Sequence, residues 1–415
     1  MNYLHRAVDL QLDQLLPHVS AIAIEGPKAV GKTETAMRRS SAVLNLDSED
    51  DRSIVDADPT FSAFDGQTIL IDEWQKLPQS WDYVRRAVDN RTRKCSFLLT
   101  GSATPTAGVD THSGAGRILS LRMRPMAIFE RHDGHASISL GNLLSGESAV
   151  SGKTSWNLAD YMNAIVASGF PSITELPPLV RNQQLNSYIQ RIVDRDLPDQ
   201  GYSVRDKSGL MAWLAAYAAA SSTTTGYSEI LDAATAGHGT KPAKSTTMKY
   251  REKLAEIWML DPVPAWNFAR SPLGNLAKSP KHQLADPALA VRLLSIPDNG
   301  LTHGRFKHLS GPFFESLATL SVRVAADANF ATVGHLRGIK GDREVDLVVQ
   351  GSDGQLIPIE VKLSANIKDD DVRHLHWFRQ QFPEDTVDMV VISTSERAYR
   401  RKDGVAVVPL SLLGA

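Results

Sequence analysis

The stretch GPKAVGKT, from Gly26 to Thr33, restricts this chain more than any other. AIAIE precedes it, an apolar run of the length of a buried strand, and TETAMRRS follows, rich in helix formers. Two glycines with four residues between them, then lysine and threonine, between a strand and a helix, make a loop whose backbone N–H groups turn inward. Gly26 and Gly31 permit the turn, and Pro27, Lys28, Ala29 and Val30 form its rim. Such a loop suits a phosphate: Lys32 reaches the β and γ oxygens, the Thr33 hydroxyl ligates Mg²⁺, and the positive helix end adds to the field. ATP with Mg²⁺ is the expected cofactor. GESAVSGKT, Gly146 to Thr154, looks similar but has five residues between its glycines and no strand before it, so a linker is expected there.

QTILIDEWQ supplies the next element, an apolar strand ending in Asp72 and Glu73. A carboxylate at that edge sits beside the phosphates: Asp72 is expected to hold Mg²⁺, and Glu73 to orient and deprotonate the attacking water. In SFLLTGSATP, Thr100 and Ser102 read equally as γ-phosphate sensors or as turn residues. GAGRILSLRMRP carries Arg117, Arg122 and Arg124. Arg117 is the candidate for stabilising the transition state, in cis or from a neighbouring subunit of a homo-oligomer, with a plain surface arginine as the other reading. AIAIE, AVLNLD, TILID and SFLLTG alternate with helical stretches, which predicts an α/β fold with a P-loop doubly wound parallel sheet.

At 415 residues the chain exceeds one core, and the expected divisions are 1–135, 136–205, 206–300 and 301–415. A net charge of −2 argues against a global field for nucleic acid, so any such site is a local patch. The lone Cys95 leaves no disulfide framework and no cysteine-based zinc site. MNYLHRAVDLQLDQL does not read as a signal peptide, and the apolar run GLMAWLAAYAAA, 12 residues long, is too short to span a bilayer. A cytoplasmic protein with no membrane partner is expected.

The region from Ser208 to about Ile296 reads as an Ala-rich buried helix, then KSTTMKYREKLAEIWML with Met248, Leu254, Ile257 and Trp258 near one face, then a β-wing: a winged helix. From Lys241 to His282 there are eight basic residues (Lys241, Lys244, Lys249, Arg251, Lys253, Arg270, Lys278, Lys281) against three acidic ones. Two readings stand: a DNA-contacting surface, or a solvated face of a module that binds a protein partner.

Near the C-terminus, REVDLVVQ and QLIPIEVKL flank the turn GSDG. Alternation along a strand puts Glu344 and Asp346 on one face, and Glu360 and Lys362 likewise. Asp346 and Glu360 are hard oxygen ligands for Mg²⁺ or Mn²⁺, with the Val361 carbonyl as a third oxygen and Lys362 positioning the water. The competing reading is an Asp346–Lys362 ion pair on a solvated face. His374 and His376, two apart on a helix, point to different sides and are not read as a metal site.

GPKAVGKT, ILIDEWQ, FLLTGSA, SGAGRI followed by LRMRPMAIFE, SGFPSI, YIQRIVDRD, and REVDLVV with IEVKLSA, taken in this order, resemble the bacterial and archaeal AAA+-type ATPases that carry a C-terminal PD-(D/E)XK nuclease-like domain. The resemblance covers nearly the whole chain. It implies ATP hydrolysis in the front half, a helical lid in 136–205, and an α/β nuclease-like domain in 301–415. It also implies that Glu315, in GPFFESLATL, completes a metal site with Asp346, Glu360 and Lys362. It leaves open whether that site cuts DNA or only binds a partner.

Overall fold

The computed structural model describes residues 3–90, 95–101, 114–131, 136–146, 149–236, 242–266, 279–338, 341 and 343–415. The first sheet comprises β1 (Ala21–Glu25), β2 (Ala42–Asn45), β3 (Thr68–Asp72), β4 (Ser96–Gly101) and β5 (Leu119–Arg122), in the order β2-β3-β4-β1-β5. Every pairing is parallel, as expected. Ile22, Ile24, Leu70 and Leu98 feed one core, and Ala21, Ala23, Ile69, Ile71 and Leu99 the other. Burial on both faces is why these strands read as unbroken apolar runs. Parallel register gathers the C-terminal ends on one edge, with Glu25 beside Gly101 and Arg122, and Asp72 beside Thr100.

Two short strands follow, β6 (Ile138–Ser139) and β7 (Gly152–Lys153), then β8 (Thr332–Arg337), β9 (Glu344–Gln350), β10 (Leu356–Val361), β11 (Val390–Ser393), β12 (Arg397–Arg400), β13 (Ala406–Pro409) and β14 (Leu413–Gly414). The second sheet runs β7-β12-β13-β11-β10-β9-β8. One end of it is a meander, β8-β9-β10, entered from the 19-residue Ser310–Ala328 helix and left through the Arg373–Gln381 helix into parallel β11. The stretch expected as a linker is therefore corrected: Gly152 and Lys153 pair with Ala398 and Arg397, and β6 pairs with β14. Sheet edges expose unpaired backbone groups, and these passing segments satisfy them.

Between the sheets lie helices Leu158–Ala167, Pro178–Arg191, Lys207–Ala219, Tyr227–Thr235 and Lys244–Glu256. The last buries Thr247, Tyr250 and Leu254; of the residues expected on one apolar face, Leu254 and Ile257 are buried, but Met248 is 51% exposed and is corrected. A two-stranded ribbon follows, in which Leu260 bridges Leu284 and Val263 bridges Lys281. The tip expected as the wing, with Arg270 and Lys278, lies outside the described residues, as does Lys241. One hydrophobic cluster runs from Val8 through Tyr161, Trp213 and Leu289 to Leu413, so the expected divisions share a core. Among the described residues no helix is long and apolar enough to cross a membrane.

Candidate functional site

At the C-terminal edge of the first sheet, Gly31 takes a left-handed conformation with φ 102° and starts the Lys32–Met37 helix. The Gly26 end approaches the tail of β5 so closely that a Cβ there would lie 2.1 Å from the Met123 carbonyl oxygen. Lys32 is buried and donates to the carbonyls of Gly26 and Pro27, each at 2.8 Å. Burial pulls its ammonium down to about 8, against Glu73 and Asp72, which raise it. Thr33 Oγ1 donates to Asp72 Oδ1 at 2.9 Å, and Thr100 Oγ1 donates to the same oxygen. A hydroxyl and a carboxylate side by side are the hard donors Mg²⁺ requires, so these residues fit the ion. Glu73 follows in a left-handed conformation, φ 53°, and accepts from Gln75 Nε2. Lys28 reaches from the loop rim to Asp196 Oδ1 at 2.6 Å, in the π-helical turn Ile192–Asp196. A cavity of about 470 Å³ opens beside Gly31 and Thr35, walled by Tyr3, Leu4, Met126 and Pro171.

In the second sheet Ile359 faces Leu347, which sets Glu360 opposite Asp346 on the face the sequence predicted. Asp346 Oδ2 accepts the Val361 N–H at 2.9 Å. Its other oxygen meets Lys281, whose Nζ lies 3.1 Å from Asp346 Oδ1, 2.7 Å from Glu315 Oε1 and 3.7 Å from Glu344 Oε1. Lys281 is 1% exposed. Lys362 Nζ binds Glu360 Oε1 at 2.6 Å, and Glu360 Oε2 is buried with no hydrogen-bond partner among the described residues. Burial and then the Asp346 charge push Glu315 up to about 7 and Glu360 up to about 8. Burial alone would lower Lys281, but Asp346 and Glu315 outweigh it and hold it above the usual lysine range.

Glu315, Asp346, Glu360 and Lys362 thus come together, yet as arranged they do not fit a divalent ion. An ammonium already stands among the oxygens that would bind one. The Asp346–Lys362 pair does not form either, since Lys362 turns to Glu360 and Lys281 takes Asp346.

Residues 18–132 match the AAA domain family. This front portion carries the P-loop arrangement on an AAA-type domain. Residues 158–300 and 310–413 match two domains of unknown function, DUF8612 and DUF4143. Two uncharacterized proteins, of Mycobacterium bovis and Mycobacterium tuberculosis, are each 24% identical over 301 residues, 69% of this chain. The match spans 59% of the length of these curated relatives. Among solved structures, the Walker-type ATPase paby2304 of Pyrococcus abyssi aligns at 14% identity and TM-score 0.42, covering 70% of this chain and 96% of that one. The ORC2 protein of Aeropyrum pernix aligns at 14% identity and TM-score 0.30, covering 71% and 93%. Scores this low do not establish a shared overall fold.

Within the front domain, the reading of Arg117 as acting in cis needs correction, while the reading from a neighbouring subunit is untouched. Arg117 lies just before β5, at the N-terminal end of the parallel strands, and donates to Asp89 Oδ1 at 2.9 Å. The phosphate loop is at the opposite edge, a strand length away, roughly 13 Å. Arg117 therefore does not reach the phosphates of its own chain. Thr100 positions Asp72, and Ser102 lies outside the described residues.

The sequence reading missed Arg6, buried, which donates to the Val30 carbonyl at 2.7 Å and the Arg124 carbonyl at 2.8 Å, tying the phosphate loop to the tail of β5. It also missed Asp261. Arg122, Arg124 and Arg323 converge on this buried carboxylate at 3.1, 2.8 and 2.9 Å. Burial alone would raise Asp261, but the guanidiniums, Arg124 foremost, hold it far below the carboxylate range. Neither spacing nor composition marks any of these residues.

Proposed function

We propose that this chain is a Mg²⁺-dependent ATPase whose nucleotide cycle works a DNA-holding, nuclease-like C-terminal domain that does not cut. The observation that carries the ATPase part is the meeting of Thr33 and Asp72 beside buried Lys32. Thr33 and Asp72 would hold a Mg²⁺ ion, which would supply charge neutralisation at the phosphates. Lys32 exchanges its bonds to the Gly26 and Pro27 carbonyls for phosphate oxygens. Thr100 holds the Asp72 carboxylate in place. Glu73, released from Gln75, orients the attacking water and accepts its proton. The cavity walled by Tyr3, Leu4, Met126 and Pro171 suits a purine base. An arginine from a neighbouring copy, Arg117 among the candidates, would complete the site in a homo-oligomer.

The C-terminal part rests on the helix, meander and parallel strand that bring Glu315, Asp346, Glu360 and Lys362 together, and on the ammonium that stands where a metal would. DNA is the favoured partner because Lys244 and Lys249 are exposed on the helix preceding the ribbon. Of the other expected basic residues, Lys281 is buried, Lys253 pairs with Glu256 at 2.7 Å, and Arg251 lies over the Tyr227 ring.

The test is ATP turnover with and without single-stranded, duplex and branched DNA, with cleavage products read from the same tubes. Lys32→Ala should abolish nucleotide binding. Glu73→Gln should keep binding and lower kcat by about 10²- to 10⁴-fold. DNA should raise turnover without being cut. Turnover that survives Lys32→Ala would refute the ATPase assignment, and metal-dependent cleavage lost in Asp346→Ala would refute the non-cutting one.

A further inference from the structure

We propose that Lys281 is the resident cation of the C-terminal carboxylate cluster, standing where a cutting site holds its divalent ion and closing this domain to Mg²⁺ and Mn²⁺. The inference deepens the reading of that domain as nuclease-like and rests on it.

Geometry carries it. A divalent ion bound by oxygens sits about 2.0–2.6 Å from them. An ion within that reach of Glu315 Oε1 and Asp346 Oδ1 would share their span with the Lys281 Nζ, 2.7 and 3.1 Å from the same atoms. Three positive charges would then crowd a buried space where screening is weak. The remaining oxygens are mostly committed, Asp346 Oδ2 to the Val361 amide and Glu360 Oε1 to Lys362. Glu360 Oε2 is buried with no hydrogen-bond partner among the described residues, too little to bind an ion alone.

Lys281 is not a wandering surface chain that happened to fold inward. Its backbone N–H and C=O both pair with Val263, each at 2.9 Å. Two residues before Val263 on the same strand, Asp261 is locked by Arg122, Arg124 and Arg323. The ribbon is therefore anchored close to the point from which Lys281 projects. The lysine falls within the stretch matching one domain family and its carboxylates within the stretch matching another, so the contact also joins the two.

The experiment measures Mn²⁺ bound to the intact chain without nucleotide, by electron paramagnetic resonance, in the wild type, Asp346→Asn, Lys281→Met, Lys281→Arg and the double variant Lys281→Met with Asp346→Asn. The wild type, Asp346→Asn and Lys281→Arg should show the same weak Mn²⁺ uptake. Lys281→Met should bind one further ion at least about tenfold more tightly, the result of removing a unit charge at contact distance, and Asp346→Asn should cancel that gain. Mn²⁺ should raise the unfolding temperature of Lys281→Met and leave that of the wild type unchanged. A wild-type Mn²⁺ ion that disappears in Asp346→Asn would overturn the proposal, and that comparison needs no Lys281 variant to fold. A folded Lys281→Met that gains no ion would overturn it too. Because no nucleotide is present, loss of ATP turnover would sink the ATPase reading and leave this result standing.

Discussion

Arg124 and Asp261, 137 residues apart in the chain, meet inside the protein with Nε 2.8 Å from Oδ2. Arg124 follows the tail of β5 that backs the phosphate loop, where the Met123 N–H donates to the Glu25 carbonyl at 2.7 Å. Asp261 belongs to the ribbon that carries Lys281. The same arginine also pairs with Asp327, near the end of the helix whose first half bears Glu315. The phosphate loop and the carboxylate cluster thus hang on one buried ionic junction. Asp261→Asn would leave three guanidiniums without their shared counter-charge. Removing one partner of such a buried group costs about 3–5 kcal/mol. Denaturant unfolding should show an unfolding free energy lower by that amount, and Asp261→Asn with unchanged stability would mean the junction holds nothing together.

Lys32 predicts a pH dependence of nucleotide binding. Burial sets its ammonium at about 8 in the free protein. Phosphate oxygens raise it in the complex, so binding favours the protonated form. Affinity should be flat with respect to this group below pH 8 and should fall up to about tenfold per pH unit above it. Calorimetry above pH 8 in buffers of different ionisation enthalpy should detect proton uptake on binding. Proton release, or affinity that rises with pH, would contradict the assignment.

Gly26 leaves no room for a side chain, since an added Cβ would overlap the Met123 carbonyl oxygen. The oxygen belongs to the backbone and the Cβ is fixed by the backbone that carries it, so relief requires the loop or the β5 tail to move. Gly26→Ala should cost about 1–3 kcal/mol of stability. It should also weaken ATP binding more than it weakens folding, because the loop shifts first. Parallel unfolding curves and nucleotide titrations check the order of the two effects.

Lys244 and Lys249 are exposed on the helix before the ribbon. If they neutralise DNA phosphates, the double alanine variant should bind all DNA sequences more weakly and lower the salt dependence of binding by about two counterions, one for each lysine. A fluorescence titration across salt concentrations measures this slope, and an unchanged slope would remove this helix from the DNA surface.

What the sequence by itself determined is whatever neighbouring residues encode. The phosphate loop was legible because its glycines, lysine and threonine are contiguous and the backbone conformation they permit is local. The parallel sheet was legible from apolar runs, and the Asp346–Glu360 face from the period of two along a strand. The tertiary structure alone decided which charge meets which. Arg6 against Val30, Arg117 at the wrong edge of the sheet, three arginines on Asp261 and Lys281 among the carboxylates all join residues far apart in the chain. Pairing between buried charges follows from which surfaces pack together, and no spacing along the sequence records that.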